Sequence, residues 1–273
     1  MDERDAKIEK LEELLKNQEV SAKMLVRRDL ELTRAYEKLE ELGQLKSDFV
    51  SVVAHQLRTP LSVTKWSLDM LWEISKKTLT PEEVRVLLRG RESNERMIRL
   101  VDNLLNVDLH EVGKVQYSFN SISLADQAES VVEQLMPVAT KRNINLVFKR
   151  DGEIPNINGD DEKLSSVIQN LIENALKYTP KGGDVNVGVA KKEEKVVVSV
   201  KDTGIGIPKA EKDQLFKKFY RGENAIKTVT EGSGLGLFIA QKIVRRHGGK
   251  IWFESEEGNG TTFYFTIPLE GIK

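Results

Sequence analysis

The sequence predicts two folds in series: a helical hairpin, then an α+β sandwich with helices on one face of a mixed sheet. Three observations carry this. Residues 1–46 are dense in Glu, Lys, Arg and Leu, lack proline and hold one glycine, Gly43. Helical apolar spacing then continues to about Leu109. Beyond Gly113 the pattern changes to short alternating strands between helices. A length of 273 residues fits about two domains.

Composition narrows the function classes. Charged residues make up 31% of the chain and balance to a net charge of −1, which gives no reason to propose nucleic acid or an anionic membrane as partner. The absence of cysteine excludes disulfides, thiolate metal sites and a cysteine nucleophile. No apolar run approaches the roughly 20 residues that span a bilayer, and MDERDAKIEK does not read as a signal peptide. The expectation is a cytoplasmic chain, either a soluble protein or the cytosolic part of a larger one.

Leu25, Leu32 and Leu39 recur every seven residues with Tyr36 between, so residues 1–46 read as a coiled-coil helix. Leu39, Leu42 and Leu45 are spaced three and three, which predicts a shift of seam and a register break. A plain dimerisation helix and a signal-carrying helix both fit. The next helix runs from Ser47 to about Lys76–Leu79. With His55 at 0°, Leu45, Phe49, Val52, Val53, Val63, Met70 and Ile74 fall roughly between 60° and 160°, a packing face. His55 flanks that face and Thr59 lies one turn on. Pro60 has no N–H for the carbonyl of Gln56, so the turn beside His55 should be bent or loosened. From the helix alone, His55 is either a surface histidine or an accessible nucleophile.

Thr80-Pro81-Glu82-Glu83 is a helix start: Thr80 as N-cap, Pro81 first, Glu83 closing a capping box. The second helix reaches about Leu109, and the two make an antiparallel hairpin. One hairpin buries little, so two copies forming a four-helix bundle is the economical solution. The expected domains are thus a coiled-coil or signalling helix over 1–46, a hairpin over 47–110, a linker over 111–120 and the sandwich over 121–273. Within the sandwich the elements are a strand over Val115–Ile122, a helix over Ser123–Arg142 and a strand over Ile144–Arg150. A striped helix over Asp160–Tyr178 precedes a hairpin of Val185–Ala190 and Val196–Val200. A polar stretch over Lys209–Glu231, a helix over Gly236–His247 and a hairpin of Ile251–Glu254 and Thr261–Ile267 complete it.

Three of these segments suit a nucleotide. Asn170, Asn174 and Lys177 share one helix face with Tyr178 next to it: carboxamide oxygens can ligate Mg²⁺, and lysine meets phosphate. Asp202-Thr203-Gly204-Ile205-Gly206 follows a strand, where a carboxylate can accept from an exocyclic amine beside a flat ring. Gly232-Ser233-Gly234-Leu235-Gly236-Leu237 opens a helix, an anion site. The spacing is not that of a Rossmann fingerprint, and no Gly-Lys-Ser/Thr occurs.

In this order the segments resemble the bacterial two-component sensor histidine kinases over about residues 47–268. Ser47–Leu61 resembles the histidine box, Asn170–Tyr178 the asparagine box and Asp202–Pro208 the first glycine box. Leu215–Arg221 resembles the phenylalanine box, Gly232–Leu237 the second glycine box and Gly258–Phe263 the closing hairpin. The resemblance implies a dimerisation and histidine-phosphotransfer hairpin followed by an ATP-binding sandwich of the GHKL type. It implies transfer of the ATP γ-phosphoryl group to His55 and onward to a response-regulator aspartate. It gives Asn174 to Mg²⁺ and Asp202, with Gly204 and Gly206, to adenine. Asn170, Lys177 and Tyr178 then surround the phosphates and ribose, Arg221 with Lys217 or Lys218 reaches the γ-phosphate, and Gly232, Gly234, Leu235, Gly236 and Leu237 hold the phosphates by backbone. It also implies that Thr59 positions water for a phosphatase reaction on the regulator. One departure stands out: the family most often has a carboxylate directly after the histidine, and here it is Gln56. That leaves a second reading, a nucleotide- or regulator-binding signalling module with little autokinase activity.

Overall fold

The structure is a computed structural model that describes residues 3–76, 78–111, 116–229 and 232–269. Up to His55 the described chain is helix alone, part of α1 (Glu3–Ser75), which runs without interruption across Gly43 and through Pro60. Leu25, Leu32, Leu39, Leu42 and Leu45 are all exposed along it. Phe49, Val52, Val63, Met70 and Ile74, which share one helical face, are exposed too.

From Gln56 onward, α1 pairs antiparallel with α2 (Pro81–Glu111). The capping box forms as its spacing predicts. Thr80 N–H donates to Glu83 Oε2 at 2.7 Å, and Glu83 N–H donates to Thr80 Oγ1 at 3.3 Å. Arg58–Asp102, Lys65–Glu95 at 3.6 Å and Arg91–Asp69 at 2.6 Å cross between the helices in one register. Half-exposed pairs of this kind contribute little stability each, but they penalise a slipped pairing. Asn94, buried, donates to the Leu61 carbonyl at 2.9 Å and adds a directional contact at the centre.

The sandwich begins with β1 (Asn120–Ile122), shorter than the strand predicted over Val115–Ile122; Val115 lies outside the described residues. The segment before β1 is held by side chains instead. Ser118 N–H donates to Asp160 at 2.8 Å, and the Tyr117 and Phe119 rings pack on His247. β1 pairs with β3 (Ile157–Gly159), a strand the sequence reading missed. Between them lie α3 (Leu124–Lys141) and β2 (Asn145–Asp151). Then follow α4 (Asp161–Tyr178), β4 (Asp184–Lys192), β5 (Lys195–Asp202), a 3₁₀ turn (Lys209–Gln214), α5 (Glu223–Thr228), α6 (Gly236–Arg246), β6 (Lys250–Ser255) and β7 (Thr261–Pro268). The main sheet has the order β2-β4-β5-β7-β6, with β2 and β4 parallel and the other neighbours antiparallel.

Alternation sets the faces. Val185, Val187 and Val189 of β4, Val196, Val198 and Val200 of β5 and Phe263, Phe265 and Ile267 of β7 point into one core. α4 answers with Leu164, Val167, Ile168, Leu171, Ile172, Ala175 and Leu176 at helical spacing. Each such side chain contributes about 1.5–3 kcal/mol through burial. That packing fixes α4, so its opposite stripe, Asn170, Asn174 and Lys177, has one possible direction.

Candidate functional site

A cavity of about 1120 Å³ lies beside α4, lined among others by Asn170, Asn174, Lys177, Tyr178, Asp202, Gly206, Arg221, Gly232, Gly234, Gly236 and Leu237. The structure thus brings together most of the residues chosen from sequence. Seven are not in the lining. Gly204 N–H donates to Asp202 Oδ1 at 2.8 Å. Leu235 is buried in a small apolar cluster with Phe238. Lys218 Nζ sits 5.3 Å from the centre of the Phe238 ring, and Lys217 is exposed. His55, Gln56 and Thr59 are exposed on α1.

At one end of the cavity Asp202 is buried at the end of β5. Burial pushes its carboxyl up to about 6, against the pull of the Gly204 and Thr261 N–H groups. Both of those bonds go to Oδ1, Thr261 N–H at 3.1 Å, so Oδ2 is the oxygen offered to a ligand donor. An amine of a flat ring meets that requirement.

At the other end α4 meets the start of α6. Asn174 Nδ2 donates to Asn170 Oδ1 at 3.5 Å, while Asn170 Nδ2 is buried with no partner among the described residues. Such an amide is costly unless an acceptor arrives. A Cβ at Gly236 would collide with Asn170 Oδ1, so any side chain there would displace that amide. The open N-terminus of α6 therefore faces an amide that seeks an acceptor, which is the chemistry of a phosphate cradle. Among the described residues no group of three His, Cys, Asp or Glu can hold a metal ion. A cation here would need ligand oxygens from its guest plus an amide oxygen, a set that fits Mg²⁺ with a nucleotide phosphate.

Arg221 closes the side. Its guanidinium donates to the Val229 carbonyl, and Nη1 donates to the Gly232 carbonyl at 3.5 Å. It also faces the Tyr178 phenol, which burial raises and Arg221 holds down. Lys177 Nζ lies 5.2 Å from the Tyr178 ring centre. Two groups at the site escaped the sequence reading. Arg142, at the end of α3, donates to the Leu176 carbonyl at 2.8 Å and the Lys177 carbonyl at 3.4 Å, capping the last turn of α4. Asn224 Nδ2 donates to the Gly206 carbonyl at 2.9 Å. Neither has a local spacing signal.

Comparison with known proteins adds to this geometry. Residues 159–271 match the family model described as histidine kinase-, DNA gyrase B- and HSP90-like ATPase. Residues 45–111 match the His Kinase A (phospho-acceptor) domain. Sensor histidine kinase WalK of Bacillus subtilis (strain 168) is 36% identical over 237 residues, covering 85% of this chain and 38% of WalK. The crystal structure of full-length ShkA in complex with AMPPNP is similar with a TM-score of 0.68 at 25% identity, covering 82% of this chain and 46% of that one. Histidine kinase ThkA in complex with the response regulator protein TrrA gives a TM-score of 0.57 at 26% identity, covering 81% and 61%. The chain therefore spans less than half of WalK and ShkA and about three fifths of ThkA. No helix among the described residues is long and apolar enough to cross a membrane.

Proposed function

The chain belongs to the sensor histidine kinases of two-component systems, and from that premise we propose that it is an ATP-dependent autokinase. It transfers the γ-phosphoryl group of ATP to His55 and from there to an aspartate of a response-regulator receiver domain. The observation that carries this is the cavity that joins Asn170, Asn174, Lys177, Asp202 and Arg221 around the open start of α6, in a chain whose other family match is a phospho-acceptor domain. The proposed domains are those read from sequence: signalling helix 1–46, hairpin 47–110, linker 111–120 and catalytic domain 121–273.

In this reading Asp202 Oδ2 accepts from the adenine amine. Asn170 Nδ2 donates to a phosphate oxygen, Lys177 and Tyr178 lie along phosphates and ribose, and Gly232, Gly234 and Gly236 offer backbone N–H groups. Asn174 Oδ1 would hold Mg²⁺, and the ion would supply charge neutralisation at the phosphates. Arg221 spreads the charge that develops on the transferring group. An unprotonated ring nitrogen of His55 forms the new P–N bond. The bond from Pγ to the bridging oxygen breaks, and its electron pair leaves on ADP. Gln56 can accept a hydrogen bond from the other ring N–H but cannot take its proton. Asn170 carries no base to activate water, which favours keeping ATP for His55 over hydrolysing it.

Two copies joined through the hairpin are part of the proposal, supported by the exposed Phe49, Val63, Met70 and Ile74. So is a cytoplasmic location. Thr59 is proposed to orient water for dephosphorylating the regulator; unchanged decay of phospho-regulator with Thr59→Ala removes that role. Gln56 favours a second reading, a nucleotide- or regulator-binding module with little transfer. Incubation with γ-labelled ATP decides between them. Acid-labile, alkali-stable label that disappears in His55→Ala supports the kinase, and ATP binding without label supports the module.

A further inference from the structure

Residues 215–229, which follow the 3₁₀ turn, carry Arg221 and are fastened to the rest of the domain at specific points. Lys212 Nζ donates to the Ser255 carbonyl at 2.6 Å and fixes the 3₁₀ turn to the end of β6. Ser255 Oγ also accepts from Ile207 N–H at 2.9 Å, so the loop beside Asp202 shares that anchor. From the 3₁₀ turn, Glu211 Oε1 accepts from Glu223 N–H at 3.1 Å at the start of α5. Its carboxylate lies over Gly222, where a Cβ would collide with it. The next residue, Asn224, reaches the other way, with Nδ2 at 2.9 Å from the Gly206 carbonyl. A carbonyl can only accept, so the orientation of the amide is fixed. α5 has six residues, too few to hold itself in place without such ties. Gly206, Glu211, Gly222 and Asn224 all line the cavity.

We propose that Asn224 is a positioning residue for the nucleotide: it pins the Arg221-bearing segment to the loop beside Asp202, so that nucleotide release requires the Asn224–Gly206 bond to break. The bond joins the adenine side of the cavity to the segment that faces the phosphates. Occupancy at one side is thereby linked to closure at the other. This inference rests on the reading of the cavity as an ATP site.

The test uses the whole chain and AMPPNP carrying a methylanthraniloyl reporter, preloaded and then chased with unlabelled ATP in stopped flow. Asn224→Asp keeps the shape but replaces the donor with an acceptor facing a carbonyl. Asn224→Ala removes the group, and Asn224→Gln retains the donor on a longer arm. Loss of one such bond predicts dissociation about five-fold faster for Ala and Asp, with Gln between them and wild type. The KM for ATP rises in the same order, while the rate of His55 phosphorylation at saturating ATP changes less. The melting temperature of the apoprotein falls by no more than about 4 °C, as for loss of one half-buried hydrogen bond. Equal dissociation from wild type, Ala and Asp overturns the inference while leaving the ATP site standing. Failure of the wild type to bind the analogue overturns the ATP reading itself.

Discussion

Phe49, Val63, Trp66, Met70 and Ile74 of α1 are exposed, whereas Ile168, Leu171, Val198 and Phe265 of the sandwich are almost wholly buried. Residue types of similar apolarity end up in opposite environments. In the sandwich, three helices cover one face of a five-stranded sheet, so every apolar stripe finds a partner in the same chain. In the hairpin, one face of α1 meets α2, and the face with Phe49, Val63, Met70 and Ile74 is exposed among the described residues. The first region is self-sufficient as a fold. The second carries a row of exposed apolar side chains on one helix face, which is why a second copy belongs to the proposed function.

The largest effect that tests this contrast is expected in the hairpin. Placing glutamate at Val63 and Ile74 together puts unpaired charges on the proposed seam, each costing several kcal/mol if buried there. Self-association should weaken by at least about 100-fold in sedimentation velocity, with nucleotide affinity unchanged. Unaltered association would show that this face is not the seam. The mirror experiment is Leu171→Ala, a cavity in the fully buried core. It should cost about 3 kcal/mol in denaturant unfolding of the sandwich and leave self-association intact.

A smaller effect concerns pH. Asp202 in the free protein titrates at about 6, raised by burial. The adenine amine needs the ionised form, so binding requires a proton to leave below that value. Affinity should be flat above about pH 7 and fall towards ten-fold per unit below pH 6. Asp202→Asn should bind more weakly at neutral pH and lose most of this dependence in calorimetric titration. The smallest expected change is at Gln56. Gln56→Glu supplies a carboxylate that can stabilise the imidazolium formed on attack, and the initial rate of His55 phosphorylation should rise by about 10-fold or less. Equal rates would remove Gln56 from the account of transfer.

Much of this molecule was legible from spacing. The Thr80–Glu83 box, the stripe of α4 and the alternation of β4, β5 and β7 all appear where the residues predict them. The same stripe that buries Leu171 turns Asn170, Asn174 and Lys177 to the other side, so the face of the site followed from the core. The seam shift over Leu39–Leu45 concerns which face meets a partner, and it is compatible with the continuous helix of α1. The strand expected from Val115 is shorter because Tyr117 and Phe119 pack on a histidine instead of joining a ladder. Asp160 N–H donates to His247 Nε2 at 3.0 Å across 87 residues, and the ring's other nitrogen meets the Ile243 carbonyl at 2.8 Å, which fixes the tautomer. Burial lowers the pKa of that imidazole and keeps it neutral.

Caps, periodicity and motif spacing specify most elements (β3 and α5 excepted), the order of the boxes and the stripes of α4, because they act within a few turns of one segment. The tertiary structure alone decided that Arg142 caps α4, that Asn224 ties its segment to Gly206, and that Lys217 and Lys218 stay out of the cavity lining while Arg221 enters it. Those outcomes depend on which carbonyls and rings packing brings within reach of a side chain from a distant part of the chain. No local pattern encodes that proximity.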